Sequence, residues 1–231
     1  MSELLKISGL KGGYKAGVDI LRGIDMSVDK GEAVGIIGLN GSGKSTLGKA
    51  IMNMIPIRKG EILFKGESIM DLPTHSIVRK GISLMQQGGQ VFQNLSVWEN
   101  LEIAFNVGTR ESFEQMRDII PLLQESQRKL QLKMADKLSG GEKHQLALAM
   151  TLATKPELAI LDEPSAGLAP RAVEEMFSML QALRKETEVS MVLIEQNIAK
   201  TVSFCDKTVL LTLGTVTPGV GLDELERKMF K

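Results

Sequence analysis

A glycine-rich loop that ends in a lysine and two hydroxyl residues is the part of this sequence best suited to chemistry. It follows the apolar run 33–37, precedes apolar residues at helical spacing, and reads Gly38-Leu39-Asn40-Gly41-Ser42-Gly43-Lys44-Ser45-Thr46. At a strand-to-helix junction, this spelling is the P-loop pattern that binds phosphate, although a glycine turn that only links the two elements is an alternative. The glycines let backbone N–H groups close on phosphate oxygens, and the following helix offers its positive end. We predict that Lys44 reaches the β- and γ-phosphates of a nucleotide and that the Ser45 hydroxyl ligates Mg²⁺.

An acidic pair at the end of a second apolar run is the other candidate for chemistry. Asp162 and Glu163 follow the strand-like residues 158–161, and open parallel sheets present ligand-facing residues at such carboxyl ends. In a nucleotide site, Asp162 would hold Mg²⁺ through water, and Glu163 would orient and deprotonate the water that attacks the γ-phosphate. Acidic pairs at strand ends also serve as helix caps or solvated turns, and the loop 38–46 upstream favours the catalytic interpretation.

The composition is that of a globular protein with a substantial core. The chain has 231 residues, 28 Lys and Arg against 28 Asp and Glu, and 43% hydrophobic residues. Zero net charge gives no general attraction to nucleic acid, so we predict no direct nucleic-acid partner. No run approaches the ~18 apolar residues of a membrane span, and the first residues lack the apolar stretch of a signal peptide. A single cysteine, Cys205, favours a reducing cytoplasm, and with His75 and His144 it shows no zinc-ligand spacing.

The first part of the chain predicts two kinds of sheet. Apolar and polar residues alternate over 24–28, as in a sheet with one buried face, whereas 33–37 is continuously apolar and fits a strand covered on both faces. The helix after the glycine-rich loop is expected to include Met54 and Ile55 and to stop at Pro56. A turn at Lys59-Gly60 is expected to follow.

The middle of the chain predicts helices and the end returns to strands. Ser96-Val97-Trp98-Glu99 is a capping box that opens a helical stretch. After Pro156, buried strands again alternate with helices, which implies a parallel sheet with crossover helices. We therefore predict one α/β domain whose core, 1–87 and 155–231, carries a helical insertion over 88–154.

The motif Leu138-Ser139-Gly140-Gly141-Glu142 makes the chain resemble the ATP-hydrolysing subunits of ABC transporters, and the resemblance covers nearly its whole length. It implies a P-loop NTPase (RecA-like) core with a mostly parallel sheet, an N-terminal antiparallel β subdomain and an inserted α-helical subdomain. It also implies a head-to-tail dimer in which Ser139, Gly140 and Gly141 bind the γ-phosphate of a nucleotide on the second subunit. The alternative is that Ser139 and Glu142 simply cap a helix.

Other positions of the family pattern lie outside these motifs. Tyr14 matches the aromatic residue that stacks on adenine, and the loop 165–170 matches the one that crosses the dimer interface. Gln87 matches the glutamine that senses the γ-phosphate and Mg²⁺, with the neighbouring Gln86 as an alternative, and Gln196 occupies the switch position. The resemblance implies nucleotide contacts on the same subunit by Tyr14, Gly38, Asn40, Gly41, Ser42, Gly43, Lys44, Ser45 and Thr46. The catalytic residues that it implies are Glu163, Gln87 and Gln196. The metal ligands that it implies are Ser45, Gln87 and Asp162.

Departures from the general pattern point to a subgroup. Gln196 and Ala169 stand where these ATPases usually carry histidine and aspartate. The spellings Gly-Leu-Ala-Pro over 167–170 and Glu-Gln-Asn over 195–197 look like those of branched-chain amino acid importers. That group often has glutamate at the position of Gln87 and arginine at that of Met150, which leaves the substrate less defined.

The resemblance implies a function and a set of partners. We expect hydrolysis of ATP with Mg²⁺ to power uptake of branched-chain or other amino acids, with transmembrane permease subunits, a second ATPase subunit, identical or different, and an upstream solute-binding protein. The subunit would be cytoplasmic and peripheral on the inner face of the cell membrane, docked through the segment 87–97 and the helical insertion, with Phe92 or Trp98 either at that surface or in the core. The alternatives are export, a non-transport ABC-type ATPase that acts on nucleic acid or ribosomes, and a nucleotide-gated module that hydrolyses poorly.

Overall fold

The structure, a computed structural model, describes residues 2–107 and 116–218, so the predicted domain limits fall partly on residues outside those described. The strands are β1 (Glu3–Gly13), β2 (Leu21–Asp29), β3 (Ala33–Ile37), β4 (Ile57–Phe64), β5 (Glu67–Ser68), β6 (Ile82–Met85), β7 (Leu158–Asp162), β8 (Ser190–Glu195), β9 (Lys207–Thr212) and β10 (Thr215–Pro218). The α-helices are α1 (Lys44–Ile51), α2 (Thr74–Lys80), α3 (Val97–Val107), α4 (Gln127–Leu132), α5 (Gly140–Leu152), α6 (Pro170–Thr187) and α7 (Ile198–Phe204), and 3-10 helices cover Pro121–Gln124 and Ala135–Lys137.

The larger sheet is mostly parallel, as predicted. Its strand order is β10-β9-β3-β8-β7-β6, and β10 pairs antiparallel with β9 while the other neighbours are parallel. Every residue of β3, β7 and β8 is buried, because alternate side chains enter two apolar clusters, one shared with α1 and the other with α5 and α6. At one edge, Ile37 pairs with Glu195 and Asp162 pairs with Ile194. The carboxyl ends of β3, β7 and β8 therefore meet there.

The smaller sheet is antiparallel, with the strand order β2-β1-β4-β5. Buried residues alternate with more exposed ones over 24–28, which confirms the expected one-sided strand. The predicted turn at Lys59-Gly60 is wrong, because both residues lie within β4 where its register against β1 shifts. Gly60 has a φ of 108°, and a Cβ on it would lie 2.7 Å from the carbonyl oxygen of Gly9, so glycine bends the strand without ending it.

Helix α1 ends about one turn earlier than its apolar spacing predicts. Its last residue is Ile51, and Asn53 adopts a left-handed φ of 55°, a conformation that asparagine tolerates better than most residues. The N–H of Met54 then donates to the carbonyl oxygen of Lys49 at 2.8 Å. Met54 is therefore outside the helix and 41% exposed, whereas Ile55 remains buried.

The helices of the middle segment pack on one face of the larger sheet. The capping box at Ser96 is present, since its N–H donates to Oε2 of Glu99 at 2.7 Å and the N–H of Glu99 donates to Ser96 Oγ at 3.2 Å. Apolar side chains of α3 and α5 share one cluster with β7, β8 and α6. Trp98 is buried in that cluster, whereas Phe92 is half exposed, so Phe92 is the aromatic of the two that lies at the surface.

The described ranges contain no helix that combines the length and apolar character of a membrane span. They also contain no group of three His, Cys, Asp or Glu side chains arranged to hold a metal ion. Burial raises the pKa of the Cys205 thiol to about 12. This thiol therefore stays protonated and poorly nucleophilic at neutral pH.

Candidate functional site

The glycine-rich loop joins β3 to α1 at the sheet edge where β7 and β8 also end. Gly41 and Gly43 have φ values of 81° and 107°, which side chains rarely adopt. A Cβ on Gly38 would lie 2.3 Å from the carbonyl oxygen of Leu211. The loop needs glycine for this backbone shape. Its last residues form the first turn of α1, where the backbone N–H groups have no acceptor within the helix.

Lys44 is a buried cation in this loop. Its Nζ donates to the carbonyl oxygens of Gly38 and Leu39 at 2.8 and 3.2 Å and lies 3.8 Å from Oε1 of Glu163. Burial lowers the pKa of Lys44, and the Glu163 carboxylate opposes that shift. The buried hydroxyl of Ser42 has no hydrogen-bond partner in the described parts of the chain. A buried ammonium and an unsatisfied hydroxyl in one glycine loop fit a ligand rich in oxygen and negative charge, such as a nucleotide phosphate.

Asp162 ends β7 next to the first turn of α1. The Ser45 hydroxyl donates to its Oδ1 at 3.0 Å. Burial raises the pKa of Asp162, and the hydrogen bond from Ser45 opposes that shift. A hydroxyl and a carboxylate held together at a buried edge are oxygen donors of the kind that Mg²⁺ accepts, so these residues fit the predicted metal site.

The Glu163 carboxylate is held from two sides. Gln87 Nε2 donates to its Oε2 at 2.6 Å, and Gln196 Nε2 donates to its Oε1 at 2.7 Å. Its backbone has a left-handed φ of 50°, which costs roughly 1–3 kcal/mol for a residue other than glycine, and its N–H donates to the carbonyl oxygen of Ile194 at 2.8 Å. The three side chains follow β6, β7 and β8, so the edge of the sheet assembles this group.

The two adjacent glutamines have different surroundings. Gln87 contacts Glu163, whereas Gln86 lines a groove of about 340 Å³ together with Met54 and Ile103. The structure therefore brings Gln87, and not Gln86, to the Glu163 carboxylate.

Ser139 caps α5. Its Oγ accepts a hydrogen bond from the N–H of Glu142 at 3.3 Å and donates to Oε2 of Glu142 at 2.8 Å, while Lys133 Nζ donates to Oε1 of Glu142 at 2.6 Å. Burial alone would raise the pKa of Glu142, but the hydrogen bonds from Lys133 and Ser139 outweigh it and lower the pKa. The capping box that was the alternative interpretation of this motif is thus present, and its carboxylate is neutralised by a lysine.

The start of α5 lies beside the loop 165–170. In residues 2–107 and 116–218, no hydrogen bond joins Ser139, Gly140 or Gly141 to the loop 38–46. A Cβ on Gly140 would instead lie 4.0 Å from Leu168 of the loop 165–170. The start of α5 therefore borders the loop 165–170, and in the described residues it makes no hydrogen bond with the loop 38–46.

Tyr14 lies in the connection between β1 and β2 and is 47% exposed. The same connection ends at Ile20, whose Cγ2 would lie 3.2 Å from a Cβ on Gly43. The connection that carries the ring thus borders the phosphate loop, and the ring is free to contact a ligand.

Glu195 is a buried carboxylate at this edge that the sequence analysis gave no role. It is 2% exposed, and its Oε1 accepts a hydrogen bond from the Ser165 hydroxyl at 2.6 Å. A signal was available, because Glu195 is the one charged residue of a mostly apolar strand and, like Asp162, stands at its carboxyl end.

Comparison with known proteins gives a family match and close relatives. The model of the family described as ABC transporter matches residues 21–166. The chain is 34% identical over 229 residues to the probable branched-chain amino acid transport ATP-binding protein LivF of Archaeoglobus fulgidus, covering 99% of this chain and 97% of that protein. It is 30% identical to the lipopolysaccharide export system ATP-binding protein LptB of Escherichia coli, covering 91% of this chain and 87% of LptB.

A solved structure extends the likeness to the fold. MJ1267, an ATP-binding cassette of an ABC transporter in its ADP conformation, matches with a TM-score of 0.82 at 25% identity, covering 98% of this chain and 94% of that chain. Both sheets and the helical segment therefore have counterparts in one known structure.

Replacing Ser139 with alanine should lower the free energy of unfolding by about 1 kcal/mol, because α5 loses its side-chain cap. Ser126 is a matched control, since it occupies the N-cap position of α4 but its side chain makes no capping hydrogen bond. Ser126→Ala should change the free energy of unfolding by less than about 0.5 kcal/mol. Urea denaturation of both variants measures the difference, and equal losses would contradict the role of the cap.

Proposed function

The chain belongs to the ABC transporter family, among its ATP-binding ATPase subunits, and on that premise we propose that Glu163 is the general base of ATP hydrolysis. The observation that carries this proposal is the position of the Glu163 carboxylate, between the ammonium of Lys44 and the amides of Gln87 and Gln196. The base is thus adjacent to the loop proposed to hold the phosphates.

The chemistry of the side chains divides the roles among them. A carboxylate can take the proton of an attacking water, whereas a glutamine amide does not titrate near neutral pH. We therefore propose that Glu163 takes the proton and that Gln87 and Gln196 orient the Glu163 carboxylate. Each oxygen of the Glu163 carboxylate accepts one amide hydrogen bond and has a second lone pair with which it can accept water. The two amides would therefore hold the base in place while it takes the proton.

Ser45, Asp162 and Gln87 are the residues proposed to hold Mg²⁺. Support comes from the 3.0 Å hydrogen bond between Ser45 and Asp162 and from the contact of Gln87 with the neighbouring Glu163. A Mg²⁺ ion held by these residues would supply positive charge that neutralises the negative charge developing on the phosphates. Lys44 would add a second positive charge.

A nucleotide-binding site on one subunit would be completed by residues of a second subunit. The proposed contacts on the first subunit are Gly38, Asn40, Gly41, Ser42, Gly43, Lys44, Ser45 and Thr46, with Tyr14 stacked on adenine. We propose that Ser139, Gly140 and Gly141 of the second subunit, identical or different, bind the γ-phosphate, which their partly or fully exposed place at the start of α5 supports. ATP would then favour the closed pair, since its γ-phosphate contacts both subunits and hydrolysis removes that contact.

The groove that contains Gln86 is the face we propose for a transmembrane permease subunit. Its rim carries two apolar side chains, Met54 from the connection between α1 and β4 and Ile103 from α3, which are 41% and 40% exposed. The groove lies next to Gln87, so a shift of its walls would reach the Glu163 carboxylate. Docking here would hold the subunit on the inner face of the cell membrane without a span of its own.

Uptake of branched-chain or other amino acids is the transport function that we propose. The similarity to LivF and the spellings of the segments 167–170 and 195–197 support it. An importer of this kind would also need a solute-binding protein. The similarity to LptB, which belongs to an export system, favours export as the alternative.

Reconstitution into vesicles with the permease that copurifies with the subunit tests the cargo. We expect ATP-dependent uptake of labelled leucine or a related amino acid, measured by filtration. Vesicles that carry the Glu163→Gln subunit are the control and should accumulate none. ATP-dependent release of lipid with no amino acid uptake would contradict the proposal in favour of export.

Glu163→Gln should retain ATP binding but lower turnover at least about 100-fold, because the amide cannot take the proton. It should also accumulate a nucleotide-bound dimer, seen by size-exclusion chromatography with ATP. Glu186→Gln removes the same charge from the exposed surface of α6 and should leave phosphate release unchanged. Near-normal hydrolysis by the Glu163 variant would assign the base to another residue.

The two adjacent glutamines offer a matched pair of substitutions. Gln87→Ala should lower the rate of phosphate release by about tenfold or more, because Glu163 loses one of its two amide partners. Gln86→Ala should leave hydrolysis by the isolated subunit within about twofold, because Gln86 does not contact that cluster. Steady-state phosphate release measures both rates, and a larger loss for the Gln86 variant would reverse the assignment.

A further inference from the structure

Glu195 connects two loops through opposite ends of one carboxylate. Oε1 accepts hydrogen bonds from the N–H and the hydroxyl of Ser165 at 3.0 and 2.6 Å. Oε2 accepts hydrogen bonds from the N–H groups of Gln196 and Asn197 at 3.0 and 3.5 Å. One buried side chain therefore holds the start of the loop 165–170 and the start of the segment that follows β8.

Burial of the Glu195 carboxylate costs free energy, which its hydrogen bonds must offset. A carboxylate removed from water is unfavourable unless hydrogen bonds replace its hydration, and four donors do so here. Each oxygen has its own pair of donors, so a neutral side chain of the same shape cannot satisfy both sides. An amide would place its NH₂ group against N–H donors on one side or the other.

The two sides of this connection differ in how firmly they are held. Asn197 caps α7, since its Oδ1 accepts a hydrogen bond from the N–H of Lys200 at 3.2 Å. The Oε2 side is therefore fixed to a helix. Ser165 begins the loop 165–170, whose residues from Gly167 onward are partly or fully exposed. The Oε1 side is thus attached to the segment that a neighbouring subunit can reach.

Both sides also border Glu163. Ser165 is two residues after Glu163, and the Gln196 side chain donates to Oε1 of Glu163 at 2.7 Å. We propose that Glu195 is a positioning residue that transmits the placement of the loop 165–170 to Gln196 and through it to the Glu163 carboxylate. This inference rests on the proposed function in one respect, the role of Glu163 as base. Contact of the loop 165–170 with a second subunit would then orient the base, and Glu195 itself would not touch the nucleotide.

The isosteric variant Glu195→Gln tests the inference in the full chain. We expect kcat for ATP hydrolysis to fall at least tenfold, with the Kd for ATP changed less than threefold and the melting temperature within a few degrees. Ser165→Ala, which removes one of the four donors, should give a smaller loss, and the double variant should lose no more than Glu195→Gln alone. Additive losses, unchanged kcat, or a parallel loss of kcat, ATP affinity and melting temperature would overturn the role in positioning.

Two further measurements separate this inference from the proposed function. Glu195→Asp retains the charge and should recover part of the lost kcat, whereas a folding defect alone would not follow the charge. Amide hydrogen exchange should increase in Glu195→Gln at both 165–170 and 196–197, and this readout does not depend on which residue is the base. Hydrolysis by Glu163→Gln combined with increased exchange at both segments would refute the base and keep the connection, whereas unchanged exchange at either segment would refute the connection.

Discussion

The Glu163 carboxylate, hydrogen-bonded to two glutamine amides and close to the Lys44 ammonium, is the contact on which the proposed chemistry depends. A buried carboxylate is stable only where hydrogen bonds and opposite charge replace its water. Its partners come from the loop after β3 and from the residues that follow β6 and β8. The strand order of the sheet, and the burial of both faces of its central strands, bring these ends together. The apolar core thus determines which charges meet at its edge.

The parts of the fold with one dominant signal could be predicted from sequence. Continuous apolar runs such as 33–37 and 158–161 form strands covered on both faces. The alternation of apolar and polar residues over 24–28 corresponds to a strand with one buried face. Prediction failed where the backbone of one residue decided the outcome. A left-handed Asn53 ends α1 although the apolar spacing continues, and a left-handed Gly60 bends β4 where a turn was expected.

The site divides in a similar way. Motif spelling was enough to bring the phosphate loop, Asp162 and Glu163 forward as candidates, because each motif combines residue type with a place at a strand end. It could not choose between Gln86 and Gln87, since neighbouring residues after a strand point to different sides and only the packed structure tells which side faces the loop. Glu195 has no motif of its own. Its only sequence signal is a charge at the end of a mostly apolar strand, and its partner Ser165 is 30 residues away in the chain.

The left-handed backbone of Glu163 has a consequence for how this chain can change. Glycine would adopt that φ without strain, so the most comfortable residue for the turn is one that cannot accept a proton. Glycine would also remove the carboxylate that lies beside the buried Lys44 ammonium and accepts hydrogen bonds from Gln87 and Gln196. Conformational strain and reactivity are thus combined in a single residue, and relieving the strain with glycine would leave a buried cation without this carboxylate partner.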